Sequence, residues 1–152
     1  MSLRSPVRTI ARAGVALSLA LAGLLAVSPV SQADDGPCSS PWCSETYNVS
    51  GDSVYVARSW CGDQEWLAQD APPCGAKDTD YWLQNGHGTN PNQDWDSFRV
   101  DVGWCYTFQT TSFLWGEYPK EVVDRRGKPT AEWVRVHDDE TTVVISQGTT
   151  HC

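Results

Sequence analysis

Six cysteines constrain the fold of this 152-residue chain more than any other feature of its sequence. An even number of cysteines in a small exported domain is typical of a disulfide framework. A zinc site is disfavoured, because the first two are spaced too widely for a zinc knuckle and no C-x2-C pair exists. We therefore expect three disulfides, no metal and no cofactor. The cysteines are Cys38, Cys43, Cys61, Cys74, Cys105 and Cys152.

Six cysteines allow fifteen pairings, and spacing alone does not choose among them. Our prediction is the sequential pattern. It would close two short local loops and tie Cys152 back to a central strand. The predicted pairs are Cys38–Cys43, Cys61–Cys74 and Cys105–Cys152.

Residues 1–33 have the layout of a secretory signal peptide. A basic start with three arginines and no acidic residue precedes an apolar run at 14–27, and a polar stretch ending in small residues follows. The apolar run is shorter than the roughly 20 residues that span a bilayer, which argues against a membrane anchor. We predict cleavage after Ala33 and one secreted, disulfide-stabilised domain over 34–152. The leader, rich in Ala and Arg, is of bacterial type.

Acidic residues outnumber basic ones by 19 to 11, and the formal net charge is −8. The predicted leader carries three of the basic residues and no acidic ones, so the processed domain is more acidic still. Such a chain is repelled by nucleic acid and by anionic membranes. We therefore expect neither as a partner, and we expect a monomer. Acidity of this kind is also ordinary for solubility outside the cell.

Turn-forming residues are concentrated in 34–93, which predicts a loop-rich N-terminal half held by bridges. Within it we predict one strand at 53–59 and a short helical turn at 63–69, capped by an aspartate. Residues 97–109 alternate apolar and polar side chains, the pattern of a single strand buried on one face. Cys105 belongs to the alternate set of positions, so its side chain and its disulfide should lie on the opposite face of the strand. We expect the disulfide-closed loops or the C-terminal tail to cover that face.

The remaining sequence predicts further short strands separated by turns, at 112–118, 121–126, 130–137 and 141–146. Regular spacing of this kind favours an antiparallel meander. The predicted fold is therefore mostly β, a small sandwich or barrel-like domain.

Eight tryptophans are the most unusual feature of the composition. Most should fill a small core, but indole rings also anchor interfaces. Trp133 shares its parity with Arg135, and Trp95 lies between Asp94 and Asp96, so both are expected to face outward. Our candidate binding residues are Trp95, Trp115, Tyr118 and Trp133.

Oxygen-bearing side chains occupy every second position from Asn90 to Asp96, as in the first half of a calcium-binding loop. Trp95 stands where that loop requires glycine, so we interpret the segment as a turn that leads into a strand. No G-x-S-x-G nucleophile motif is present.

The first functional hypothesis is a secreted, non-enzymatic binding module that presents aromatic and acidic residues to a protein or glycan. Inhibition of the protein partner would be one such role. Two alternatives stay open. One is a small secreted hydrolase that uses carboxylates such as Asp94 and Asp96. The other is a structural secreted protein with no compact site.

Overall fold

The computed structural model describes residues 38–152, and the predicted signal peptide at 1–33 lies outside them. This part of the chain forms eleven strands and no helix, with two packed sheets and three disulfides. The prediction of a mostly β, sandwich-like fold is confirmed. Over the same residues, nothing helical has the length and apolar character needed to cross a bilayer.

The strands are short, and most contain four residues or fewer. In chain order they are β1 (Glu45–Asn48), β2 (Val54–Ala57), β3 (Trp66–Leu67), β4 (Tyr81–Leu83), β5 (His87–Gly88), β6 (Ser97–Val100), β7 (Cys105–Ser112), β8 (Gly116–Glu117), β9 (Glu121–Asp124), β10 (Glu132–Arg135) and β11 (Glu140–Gly148).

Six strands form what we call the front sheet, in the order β5-β1-β11-β7-β8, with β9 also paired to β7. The other five form the rear sheet, in the order β3-β10-β6-β2-β4. The β1–β11 pair is parallel, with Glu45 opposite Thr141, and every other described pair is antiparallel. The antiparallel meander predicted for the second half is wrong, because its strands alternate between sheets: β6 and β10 lie in the rear sheet, and β7, β8, β9 and β11 in the front sheet. The sequence pattern did not predict the parallel β1–β11 pairing either.

The main core lies between the two sheets. Phe98 of the rear sheet meets Phe108 of the front sheet edge to face, with ring centroids 5.1 Å apart. Alternating side chains of both sheets pack around this pair, as expected for sheets with one face buried. The fully buried members include Val54, Val56, Val100, Val136 and Val144.

The single strand predicted over 97–109 is wrong, because the chain turns at its middle and changes sheets. β6 belongs to the rear sheet and β7 to the front sheet. Gly103 between them has a φ of 84°, which favours glycine, and Val102 is exposed. The apolar alternation continues through this turn because both strands face the same core.

The helical turn predicted at 63–69 is also wrong. Trp66 and Leu67 form β3, which pairs with Val134 and Trp133 at the edge of the rear sheet. The free edge of β10 offers this segment ladder hydrogen bonds, and the loop that contains it is tethered at both ends by a bridge. The strand predicted at 112–118 is a hairpin, since β7 ends at Ser112 and β8 runs back beside it.

The sequential disulfide pairing is confirmed, with Cα–Cα distances of 5.5, 5.3 and 5.2 Å along the chain. Cys105 lies on the outer face of the front sheet and is nevertheless fully buried, with Cys152 bonded to it. On the outer face of the rear sheet, the loop closed by Cys61–Cys74 covers a second apolar cluster. That cluster contains Ala57, Trp60 and Trp133, with Tyr55 and Leu67 packed against it.

Candidate functional site

Two of the four candidate binding residues, the two tryptophans expected from parity to face outward, are buried. Trp133 has the predicted parity, on the outer face of the rear sheet, but is 0% exposed because Trp60 and the stapled loop cover it. Trp95 is 3% exposed and packs edge-on against Tyr81, with centroids 5.0 Å apart. The expectation of outward exposure is therefore wrong for both.

A row of side chains crosses all five strands of the rear sheet on its outer face. The register places Leu67, Trp133, Arg99, Tyr55 and Trp82 side by side. The Arg99 guanidinium lies 4.8 Å from the Tyr55 ring centroid and 5.4 Å from that of Trp82. The Tyr55 ring is tilted by 58° to Trp82 and by 69° to Trp133, so the three rings do not form one continuous flat surface.

Trp115 is exposed as predicted, and it belongs to a larger apolar surface. Phe113, Leu114 and Trp115 form the tip of the β7–β8 hairpin, with exposures of 64, 52 and 76%. Trp42, in the loop closed by Cys38–Cys43, meets Phe113 at 6.0 Å in an edge-on contact. We call these four residues the tip patch. Contiguous exposed aromatic residues of this kind mark interaction sites.

Backbone and side-chain hydrogen bonds connect the tip to the turn before β11. The buried Ser112 hydroxyl accepts from the backbone N–H groups of Leu114 and Trp115, both at 3.0 Å. It donates to the Asp139 carboxylate at 2.5 Å, and Phe113 N–H donates to the Asp139 carbonyl at 2.7 Å. The apolar side chains are thus presented by a tip bonded to a neighbouring turn.

Tyr118, the fourth predicted contact, lines a cleft between the sheets. This inter-sheet cleft measures about 160 Å³, below the roughly 300–1,000 Å³ of most small-molecule sites. It fits one small polar group. Its walls are Glu65, Trp66, Phe108, Thr110, Tyr118, Glu121, Val134, Arg135, His137 and Glu140.

Three carboxylates (Glu65, Glu121 and Glu140) and one guanidinium, that of Arg135, line the cleft, so acidic groups outnumber basic ones there. Burial, followed by the charge of Glu65, raises the pKa of Glu121. Burial also raises the pKa of Glu140, whose carboxylate accepts from the backbone N–H of His137 at 3.0 Å. The His137 ring contacts Glu65 at 2.9 Å. A cationic group placed among these carboxylates would relieve their mutual repulsion.

A shallow depression connects the cleft to the tip patch. Arg135 and His137 line both cavities, and Trp42 of the tip patch lines the depression together with Asp138 and Asp139. Apolar anchors and an acidic cleft are therefore neighbours on one end of the sandwich.

A third feature, an acid cluster, contains the buried Asp94 and Asp96 and the exposed Asp138, with carboxylate oxygens within 4.8 Å of one another. Asp94 accepts from the backbone N–H and hydroxyl of Ser44 at 2.9 and 2.5 Å. Burial raises the pKa of Asp96 to about 8, and the charges of Asp94 and Asp138 add to the rise.

The interpretation of Asn90–Asp96 as a turn fits its first half, where Asn92 N–H donates to the Asn90 side chain at 3.1 Å. Both asparagines are exposed. Asp94 and Asp96, in contrast, are 7 and 4% exposed. The turn thus delivers two carboxylates to the interior, where Asp138 joins them from a distant loop.

Comparisons with protein-family models, with curated proteins and with solved structures gave no match. What the protein does has to be inferred from its own residues.

Sequence reasoning missed Phe113, Leu114 and Trp42 as surface anchors. The available signal was the run Phe113-Leu114-Trp115, which breaks the alternation of a strand just before Gly116. It also did not predict that Glu121 and Glu140 line one cleft. They lie on β9 and β11, two strands that are brought together only because both pair with β7 in the front sheet.

Proposed function

We propose that this protein is a secreted, non-enzymatic binding module whose partner is another protein. The tip patch and the inter-sheet cleft would form its contact surface. The observation that carries the proposal is the exposure of Phe113, Leu114 and Trp115 on a hairpin tip that Ser112 holds in place.

The tip patch has the properties of an interface anchor. Tryptophan is enriched among the residues that dominate binding energy. Because the Ser112 and Asp139 hydrogen bonds already fix the tip, little conformational entropy is lost on binding. Such a tip suits an apolar pocket on the partner.

The cleft is suited to binding a basic side chain of the partner, located next to that apolar pocket. Glu65, Glu121 and Glu140 supply negative charge that exceeds the single positive charge of Arg135, while Trp66 and Tyr118 offer rings to an ammonium or guanidinium group. The net charge of −8 would also attract a basic partner over longer distances. This pairing of charge and shape is the reason to favour a protein.

A glycan partner is less favoured, because Trp42 and Phe113 meet at 75° and the Arg99 row is similarly tilted. The hydrolase alternative loses its predicted carboxylates, because Asp94 and Asp96 are buried beneath the surface. Three disulfides support an oxidising, extracellular location.

The test is affinity capture from the spent medium of the producing organism, with three forms of the purified chain. They are wild type, a tip variant with Leu114→Ser and Trp115→Ser, and the control Val49→Ser, which alters an equally exposed apolar residue elsewhere. We expect one protein to be captured by wild type and control and lost with the tip variant. The purified partner should bind the tip variant at least tenfold more weakly, and Glu121→Gln should also weaken it.

Equal capture by the tip variant and wild type would overturn the proposed surface. A reproducible glycan-array signal without protein capture would overturn the choice of partner class.

A further inference from the structure

We propose that Asp94, Asp96 and Asp138 form a binding site for a divalent cation, and that the ion is calcium. The proposal departs from the sequence-based expectation of no metal. It stands apart from the proposed partner surface, although the two are neighbours.

The spacing of the carboxylates fits a single ion. One oxygen from each of Asp94, Asp96 and Asp138 lies within 4.8 Å of the others. Calcium binds oxygens at about 2.3–2.6 Å, so two ligands of one ion lie at most about 5 Å apart. Three carboxylates from two separate segments therefore satisfy the distance limit without rearrangement.

The second observation concerns Asp96 itself. Its side chain is 4% exposed, and within the part of the chain that the structure describes its Oδ2 atom is buried with no hydrogen-bond partner. Its Oδ1 atom accepts from the Ser44 hydroxyl over a long distance of 3.5 Å. A carboxylate buried in this way is costly unless a positive charge or a donor compensates it. A cation among the three carboxylates would provide that compensation.

The ligand set points to calcium. All three side chains offer oxygen, and neither sulfur nor imidazole belongs to the cluster, which disfavours zinc and copper. Magnesium demands near-ideal octahedral geometry at about 2.0–2.1 Å, whereas calcium accepts six to eight ligands in flexible arrangements. Asp138 is exposed, so an ion has a path from solvent and water can complete its coordination.

The position of the site gives the ion a structural role. Asp94 holds Ser44, which follows Cys43 and Trp42 in the first stapled loop. Asp138 precedes Asp139, which holds the hairpin tip. A bound ion would thus connect the two segments that hold the first stapled loop and the hairpin tip.

The experiment uses the full processed chain, freed of metal with a chelator, and calcium chloride alone as the probe. Calcium binding is measured by isothermal titration calorimetry, and the unfolding temperature by thermal denaturation, both at constant ionic strength. The proteins compared are wild type, Asp96→Asn, Asp138→Asn and the exposed control Asp63→Asn. We expect saturable binding with Kd in the range of about 10⁻⁴–10⁻³ M or tighter, as in extracellular calcium modules. Both cluster variants should bind at least tenfold more weakly, the control should not change, and magnesium should bind more weakly than calcium.

Far-UV circular dichroism confirms that each variant is folded, and Asp96→Asn should fold readily because it removes a buried charge. Absence of saturable binding to the wild type at about 10 mM calcium, or unchanged binding in folded Asp96→Asn and Asp138→Asn, would overturn the site. The calcium titration contains only the purified chain and calcium, so its outcome does not depend on whether the proposed protein partner is captured.

Discussion

The Ser112 hydroxyl donates a hydrogen bond to the Asp139 carboxylate, with 2.5 Å between Oγ and Oδ2. The same hydroxyl oxygen accepts from the N–H groups of Leu114 and Trp115. One small side chain therefore connects the end of β7, the hairpin tip and the turn before β11. This makes Ser112 the residue on which the shape of the tip patch depends.

Ser112→Ala should loosen the tip while leaving its apolar side chains unchanged. It leaves two N–H groups and the Asp139 carboxylate without their partner, at a cost of about 1–3 kcal/mol in the free energy of unfolding. Hydrogen exchange should accelerate at the amides of Leu114 and Trp115. Thr111→Ala, an exposed neighbour on the same strand, is the control. Unchanged exchange at both amides would contradict the role given to Ser112.

Trp133 and Trp115 form a matched pair for testing burial. Trp133→Ala removes a 0% exposed indole and should cost about 3–5 kcal/mol of unfolding free energy. Trp115→Ala removes an indole that is 76% exposed and should change stability by less than about 0.5 kcal/mol. Urea unfolding of both variants measures the difference. Similar costs for the two would show that the outer face of the rear sheet is not covered as described.

The three bridges should differ in their stabilising effect according to the loop that each one closes. Cys105–Cys152 spans 47 residues and Cys38–Cys43 spans 5. The loop-entropy relation gives about 4 kcal/mol for the longer loop and about 2 kcal/mol for the shorter. Paired Cys→Ser variants, compared by thermal unfolding under non-reducing conditions, should therefore follow this order. The reverse order would mean that contacts of the 38–43 loop outweigh chain entropy.

The buried Asp96 carboxyl should make the metal-free protein less stable as pH rises. Its pKa is raised from 3.8 to about 8, first by burial and then by Asp94 and Asp138, against a weaker opposing effect of Arg135. The protonated Asp96 carboxyl contributes fully to the free energy of unfolding below about pH 4. This contribution is lost as pH rises toward about 8, because Asp96 loses its proton at lower pH in the unfolded chain than in the folded protein.

Asp96→Asn should remove that part of the pH dependence. Urea midpoints of wild type and variant, measured with chelator from pH 4 to 8, should be closest at low pH. At pH 8 the variant should be the more stable form. Acids outside the cluster titrate equally in both proteins, so the difference reports on Asp96 together with its effect on Asp94 and Asp138. A constant difference across this range would contradict the raised pKa.

The bridges and the strand content were predictable because cysteine spacing and side-chain alternation are local signals. The crossover at Gly103 was not, since alternation looks the same whether Phe98 and Phe108 share a sheet or face each other across a core. β1 was missed because its buried residues, Thr46 and Asn48, are polar. Their burial is made possible by partners distant in sequence, such as the Leu83 carbonyl that accepts from Asn48.

The candidate site was predictable only in part. Trp115 was expected to face outward and is exposed, and the parity of Trp133 was right. Its burial was missed because parity identifies a face but does not say what lies over it. The acid cluster was missed because Asp138 comes from a loop that only the tertiary fold places beside Asp94 and Asp96.

The parallel pairing of β1 with β11 has a consequence for when the chain can fold. Ser50, just after β1, is linked to Gln147 of β11 across 97 positions. The front sheet therefore cannot assemble on the ribosome until nearly all of the domain has been synthesised. Distant pairing of this kind slows folding. Late folding of this kind would fit the proposed secretion, because a chain that is still unfolded can pass through a translocation pore.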